Sequence, residues 1–138
     1  MADPIRYKKG YKYQLQEDYT YWTEIKKNGG GVPGYVELTE DGKLVIKKSY
    51  AWDGPSGPTF DTDSFMRASV VHDALYQLFR LGIIHPSERK TADREMRAIC
   101  REDGMPRIRA WWVYTAVRWW GWRNIRKEKE NPVIKAPK

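Results

Sequence analysis

The chain has 138 residues, with 25 Lys and Arg against 18 Asp and Glu, for a net charge of +7. That length suits one domain, and 7 Trp, 9 Tyr and 3 Phe supply bulk for a core. The lone cysteine, Cys100, excludes an internal disulfide framework and a Cys-rich zinc site, and no run reaches the roughly 18 apolar residues of a membrane-spanning helix.

The first residues, MADPIRYKKG, lack the apolar segment of a signal peptide. The positive balance favours anionic partners: nucleic acid, phospholipid headgroups or an acidic protein surface. Simple solubility explains it equally well.

Strand patterns fill the first 50 or so residues. Tyr11, Tyr13 and Leu15 alternate with polar neighbours, and Tyr19, Tyr21 and Thr23 repeat that period of two. Asn28 to Gly34 (NGGGVPG) reads as a flexible loop or wide turn. A hairpin follows, with Tyr35–Thr39 as one arm, a turn at Glu40-Asp41-Gly42, and Leu44–Lys48 as the return. Ala51–Asp61 (AWDGPSGPTFD) is too rich in Gly, Pro and Asp for a regular element.

Three helices complete the chain. Thr62 or Asp63 caps the first, which ends near Gly82. Pro86 and Ser87 open the second, which runs to Asp103-Gly104, and Pro106 opens a third that reaches about Lys127. Strands followed by helices predict an α+β fold, with antiparallel N-terminal strands and three α-helices in one domain over 1–127. A polar tail occupies 128–138.

The first helix carries Phe65, Ala68, His72, Leu75, Tyr76 and Phe79 on one stripe. Asp73 lies at its border, about 100° further round. The second helix buries Ala92, Met96, Ile99 and Cys100, and Asp93 falls among them. A buried carboxylate without a partner is costly. The short link Leu81–Pro86 makes the two helices antiparallel, and His72 and Asp93 lie equally far from it. A hydrogen bond from one imidazole nitrogen to Asp93 would fix the tautomer and raise the basicity of the other nitrogen, the wiring of a general base. A purely structural bond tying two helices together is the competing reading. Asp73 beside a Gly-rich loop suits a hard cation. Asp53, Asp61 and Asp63 read first as turn and cap residues, and His85 as a loop residue before a helix start.

The run His72-Asp73-Ala74-Leu75-Tyr76, with Ala92-Asp93 downstream and Gly54-Pro55-Ser56-Gly57 upstream, resembles the phospholipase A2 superfamily in its compact, disulfide-free parvovirus-like form. The similarity covers about Trp52 to Cys100. It implies an antiparallel helix pair with His72 activating water, Asp93 orienting His72 and Tyr76 bracing the aspartate. It further implies calcium at Asp73 with backbone carbonyls of Trp52 to Gly57, Gly54 among them, and hydrolysis of a phospholipid ester. Pro55 and Pro58 depart from that pattern and remove two N–H donors from the loop. A wider stretch, GYVEL…WDGPSGPT…HDALYQ…R…AD with a Trp- and Arg-rich last helix, resembles a family of small uncharacterised phage and prophage proteins. That likeness implies host cytoplasm or a virion as the location.

The last helix is amphipathic. Ala110, Val113, Tyr114, Val117, Trp120, Gly121 and Ile125 form the expected core face. Trp111, Trp112, Trp119 and Trp122 gather opposite with Arg118, Arg123 and Arg126. Covering by the N-terminal strands, a membrane-interface helix, and a protein interface with a virion or host partner are the three readings. Nucleic acid is disfavoured, because the basic residues are scattered and no reading motif is present. The sequence thus yields two functions: calcium-assisted ester hydrolysis at a His/Asp site, or a non-catalytic virion or host-interaction protein using the Trp/Arg helix.

Overall fold

Among the residues that the computed structural model describes, 7–8, 13–25, 29–52 and 63–121, seven short strands precede three helices. The strands are β1 (Tyr7–Lys8), β2 (Tyr13–Leu15), β3 (Tyr19–Trp22), β4 (Gly30–Val32), β5 (Val36–Leu38), β6 (Lys43–Ile46) and β7 (Ala51–Trp52). The helices are α1 (Asp63–Arg80), α2 (Arg89–Glu102) and α3 (Arg107–Trp120). The architecture is α+β: two antiparallel sheets, ordered β1-β2-β7 and β3-β6-β5-β4, followed by the helices.

Period-two patterning works as expected in β2, where Tyr13 and Leu15 are buried and Gln14 is exposed. The β5–β6 hairpin pairs Val36 with Ile46 and Leu38 with Leu44, so both arms send their aliphatic residues inward. Two segments read as irregular are strands instead. The glycines of the supposed loop form β4, with Gly31 opposite Glu37. A Cβ on Gly31 would come within 2.3 Å of the Val36 carbonyl oxygen, so this close backbone approach requires glycine. Ala51–Trp52 forms β7 against β2, with Trp52 paired to Tyr13 and the two rings 5.7 Å apart. The Trp52 indole N–H then donates to Ser69 Oγ at 2.8 Å, which fastens this sheet to α1.

The helix α1 stops where the sequence says. Gly82 has φ +78°, and the Ile83 N–H reaches back to the Leu78 carbonyl. This is the left-handed cap that glycine adopts without a Cβ penalty. The second helix begins as a 3₁₀ turn at Pro86–Glu88, and His85, by sequence a loop residue without an assigned role, caps it through Nδ1. One buried apolar cluster joins Leu15, Leu44 and Ile46 from the sheets to Leu75, Leu78, Met96 and Ile99 from the helices. Each such side chain contributes about 1.5–3 kcal/mol when fully buried.

Two polar ties cross this core. Arg67 on α1 donates to Tyr19 Oη, Asp103 and Glu102, linking β3 to the end of α2. Glu95 on α2 accepts from Thr23 Oγ1 at 2.6 Å and from the Glu24 N–H at 2.7 Å. Burial pushes the Glu95 carboxyl above its ordinary value of 4.5, against the pull of those two hydrogen bonds. The folded state therefore favours its protonated form. Stability from this group is complete at low pH and is lost as pH rises through the raised value. Glu95→Gln should flatten the stability profile between mildly acidic and neutral pH, as measured by urea midpoints across that range. A slope identical to that of the wild type would contradict this assignment.

Candidate functional site

The two side chains that the α1–α2 hairpin sets at one height do meet. His72 Nε2 lies 2.8 Å from Asp93 Oδ1, and the Asp93 side chain is fully buried. The Tyr76 hydroxyl, one turn along α1, donates to the same oxygen at 2.6 Å. The Tyr76 ring also packs on the imidazole, with centroids 4.1 Å apart. The other carboxylate oxygen, Oδ2, accepts from Arg118 Nη1 at 2.8 Å and has Arg89 Nη1 at 3.5 Å. All three helices thus converge on one buried carboxylate.

Burial would raise the Asp93 carboxyl, but hydrogen bonds from His72, Tyr76 and Arg118 outweigh it and hold the group below 3.8. Asp93 is ionised, so the imidazole must donate to it from Nε2. That fixes the tautomer and leaves the lone pair of the neutral ring on Nδ1. Among the described residues no group bonds to Nδ1, and 11 % of the imidazole surface remains accessible. Burial, with the Asp93 charge, pushes the Tyr76 hydroxyl well above its ordinary range, so it stays a donor. One carboxylate between two guanidiniums leaves the site with a net positive charge.

By sequence, Arg89 has no site role, and Arg118 has only a place on the outward Trp/Arg interface face. Arg118 fell with the outward tryptophans by helix position, but its guanidinium turns to Asp93 instead. A long, flexible stem lets a flanking position reach inward, and the buried charge draws it there. Arg89 was legible in part, because it stands four residues before the buried Asp93 on the same helix. It also donates to the carbonyls of Val117 and Arg118, satisfying the last turn of α3.

Gly121 completes the closure. A Cβ there would lie 2.6 Å from Arg89 Nη1, from the Tyr76 hydroxyl and from the Val117 carbonyl oxygen. Gly121→Ala should cost about 1–3 kcal/mol through overpacking, read as a lower urea midpoint. An unchanged midpoint would mean that α3 does not press on Tyr76 and Arg89.

The remaining expected site residues divide. Asp73 is half-buried on α1; burial pushes the Tyr35 hydroxyl up, the charge of Arg80 opposes that rise and the charge of Asp73 adds to it. Trp52 is buried, with its indole committed to Ser69. Gly54 and Gly57, together with Asp53 and Asp61, lie outside the described residues. Among the described residues no three His, Cys, Asp or Glu side chains gather as a metal site. A carboxylate with backbone carbonyls is nonetheless the hard-oxygen ligation that calcium takes.

On α3, Trp111, Trp112 and Trp119 are 53 %, 56 % and 69 % exposed, so the N-terminal strands do not cover them. Helical spacing puts Trp120 on the core face, but it is 56 % exposed. It shares a side with Val113 by spacing, yet α2 begins at Arg89, opposite Val117 and Arg118, and Trp120 lies past that end. Trp122, Arg123, Arg126, Ile125 and the tail 128–138 lie outside the described residues. Among the described residues no helix is long and apolar enough to cross a membrane.

A protein-family model described as "Protein of unknown function (DUF1353)" matches residues 35–117. The chain belongs to this family. The family match takes in His72, Tyr76, Arg89 and Asp93 and stops one residue before Arg118. No curated protein and no solved structure matches the chain.

Proposed function

We propose that the protein is an ester hydrolase of the phospholipase A2 type, acting on phospholipid, with His72 as its general base. The observation that carries this reading is the hydrogen bond from His72 Nε2 to Asp93, with Tyr76 bracing the same oxygen. The bond aims a lone pair from Nδ1 and holds the ring in one tautomer. In the reaction, Nδ1 takes a proton from water and the water oxygen attacks the ester carbonyl carbon. The carbon–oxygen bond to the glycerol breaks, and the imidazolium returns the proton to the leaving alkoxide. Asp93 stabilises the imidazolium between those steps. The surplus positive charge of Arg89 and Arg118 suits a substrate that carries a phosphate. Calcium held by Asp73 and carbonyls of residues 52–57 would supply charge for the developing oxyanion.

The test is fatty-acid release from phosphatidylglycerol vesicles by the wild-type chain, with calcium and with a chelator. Many turnovers in calcium and none in the chelator support the proposal. Absence of release under both conditions overturns it.

A second reading has one observation in its favour. Arg118 and Arg89 both engage Asp93, which ties three helices together. That fits a non-catalytic phage virion or host-interaction protein, for which the His72–Asp93 pair is a structural fastening. The same assay separates the two readings.

A further inference from the structure

We propose that the outer face of α3 is a docking surface for an anionic phospholipid bilayer, with the helix lying along the membrane at headgroup depth. The face is built by spacing. Ile108, Trp111, Trp112 and Trp119 stand at intervals of three, four and seven residues, which puts them on one side of the helix. Ile108 is 81 % exposed, while Ala110 and Val113 on the opposite side are sealed in the core. The helix is therefore already anchored by one face and presents large apolar rings on the other.

Charge and shape choose the occupant. From Arg107 to Lys127 the sequence holds Arg107, Arg109, Arg123, Arg126 and Lys127, besides the Arg118 that turns inward to Asp93, and no acidic residue. Such a segment complements an anionic surface. Indole rings are amphipathic and settle at the boundary between headgroups and acyl chains. A protein anchor gathers its aromatic residues in a central pocket ringed by polar groups. Here the apolar residues run from the first turn of α3 to the last, along about 17 Å, as a flat bilayer surface requires. This inference stands without the hydrolytic reading, since binding needs none of the groups around Asp93.

The experiment is co-sedimentation of the full chain with vesicles of phosphatidylcholine, either pure or mixed with phosphatidylglycerol, and tryptophan emission with brominated lipid. The wild-type chain should pellet with the mixed vesicles, and its emission should shift to the blue and be quenched by bromine near the headgroups. Trp111→Ser with Trp119→Ser should lower the partition coefficient roughly tenfold or more. Both positions face solvent, so the circular dichroism of the double variant should match that of the wild type. Wild-type protein left in the supernatant would overturn the proposal, as would equal binding by the double variant or equal binding to pure phosphatidylcholine. Self-association that the double variant abolishes, without vesicle binding, would assign the face to a second copy instead. His72→Gln should bind as the wild type does, so loss of hydrolysis and loss of binding are separable.

Discussion

Asp93→Ala should destabilise the fold by about 3–5 kcal/mol, the largest loss expected from any single change at the site. The wild-type carboxylate is fully buried and accepts from three donors on two other helices. Its removal leaves the Arg118 guanidinium, the Tyr76 hydroxyl and the imidazole without their acceptor, the hydroxyl deepest in the core. Arg89 loses its ion pair as well but keeps the carbonyls at the end of α3. Asp93→Asn should cost less, because the amide oxygen still accepts one hydrogen bond while the charge is gone. The pH dependence has a definite sign. The folded-state carboxyl lies below 3.8, so its contribution is full above that value and fades as pH falls through the lowered one. The wild type should lose stability at strongly acid pH, and that part of the curve should be missing in Asp93→Asn. Urea unfolding of the three proteins across the acid range checks both statements. Equal acid sensitivity would show that Asp93 is not the titrating group.

Much of this was legible before any coordinates. The α+β order, the β5–β6 hairpin and the Gly82 stop follow from local patterns that tertiary packing does not override. The His72–Asp93 contact was legible for a geometric reason. Equal spacing from a short helical bend fixes relative height, and a buried acid must find a donor. What escaped was decided by long-range contact. The glycines of β4 look like a loop until Val36 comes close enough to exclude a Cβ. The two residues of β7 carry no period of their own and exist because β2 pairs with them. Arg118 could not be assigned from its wheel position, because its reach to Asp93 depends on where α3 crosses the helix pair. Trp120 escaped because helical spacing does not say where the neighbouring helix ends.

The second large effect concerns chemistry rather than folding. His72→Gln keeps a side chain of similar reach that can still donate an amide N–H to Asp93, so the core should stay closed. It has no nitrogen able to take a proton from water. General bases of this kind contribute about 10²–10⁴ in rate, so the variant should lose that factor while its urea midpoint stays close to that of the wild type. A structural role for His72 predicts the reverse pattern, in which stability falls and any hydrolysis survives. The decisive measurement is the initial rate of fatty-acid release from phosphatidylglycerol vesicles in calcium, with His72→Gln and wild type compared at equal folded concentration. Base catalysis by the imidazole predicts release by the wild type and a drop of at least about 100-fold in the variant. Equal rates for the two proteins, or no release by either, would contradict it.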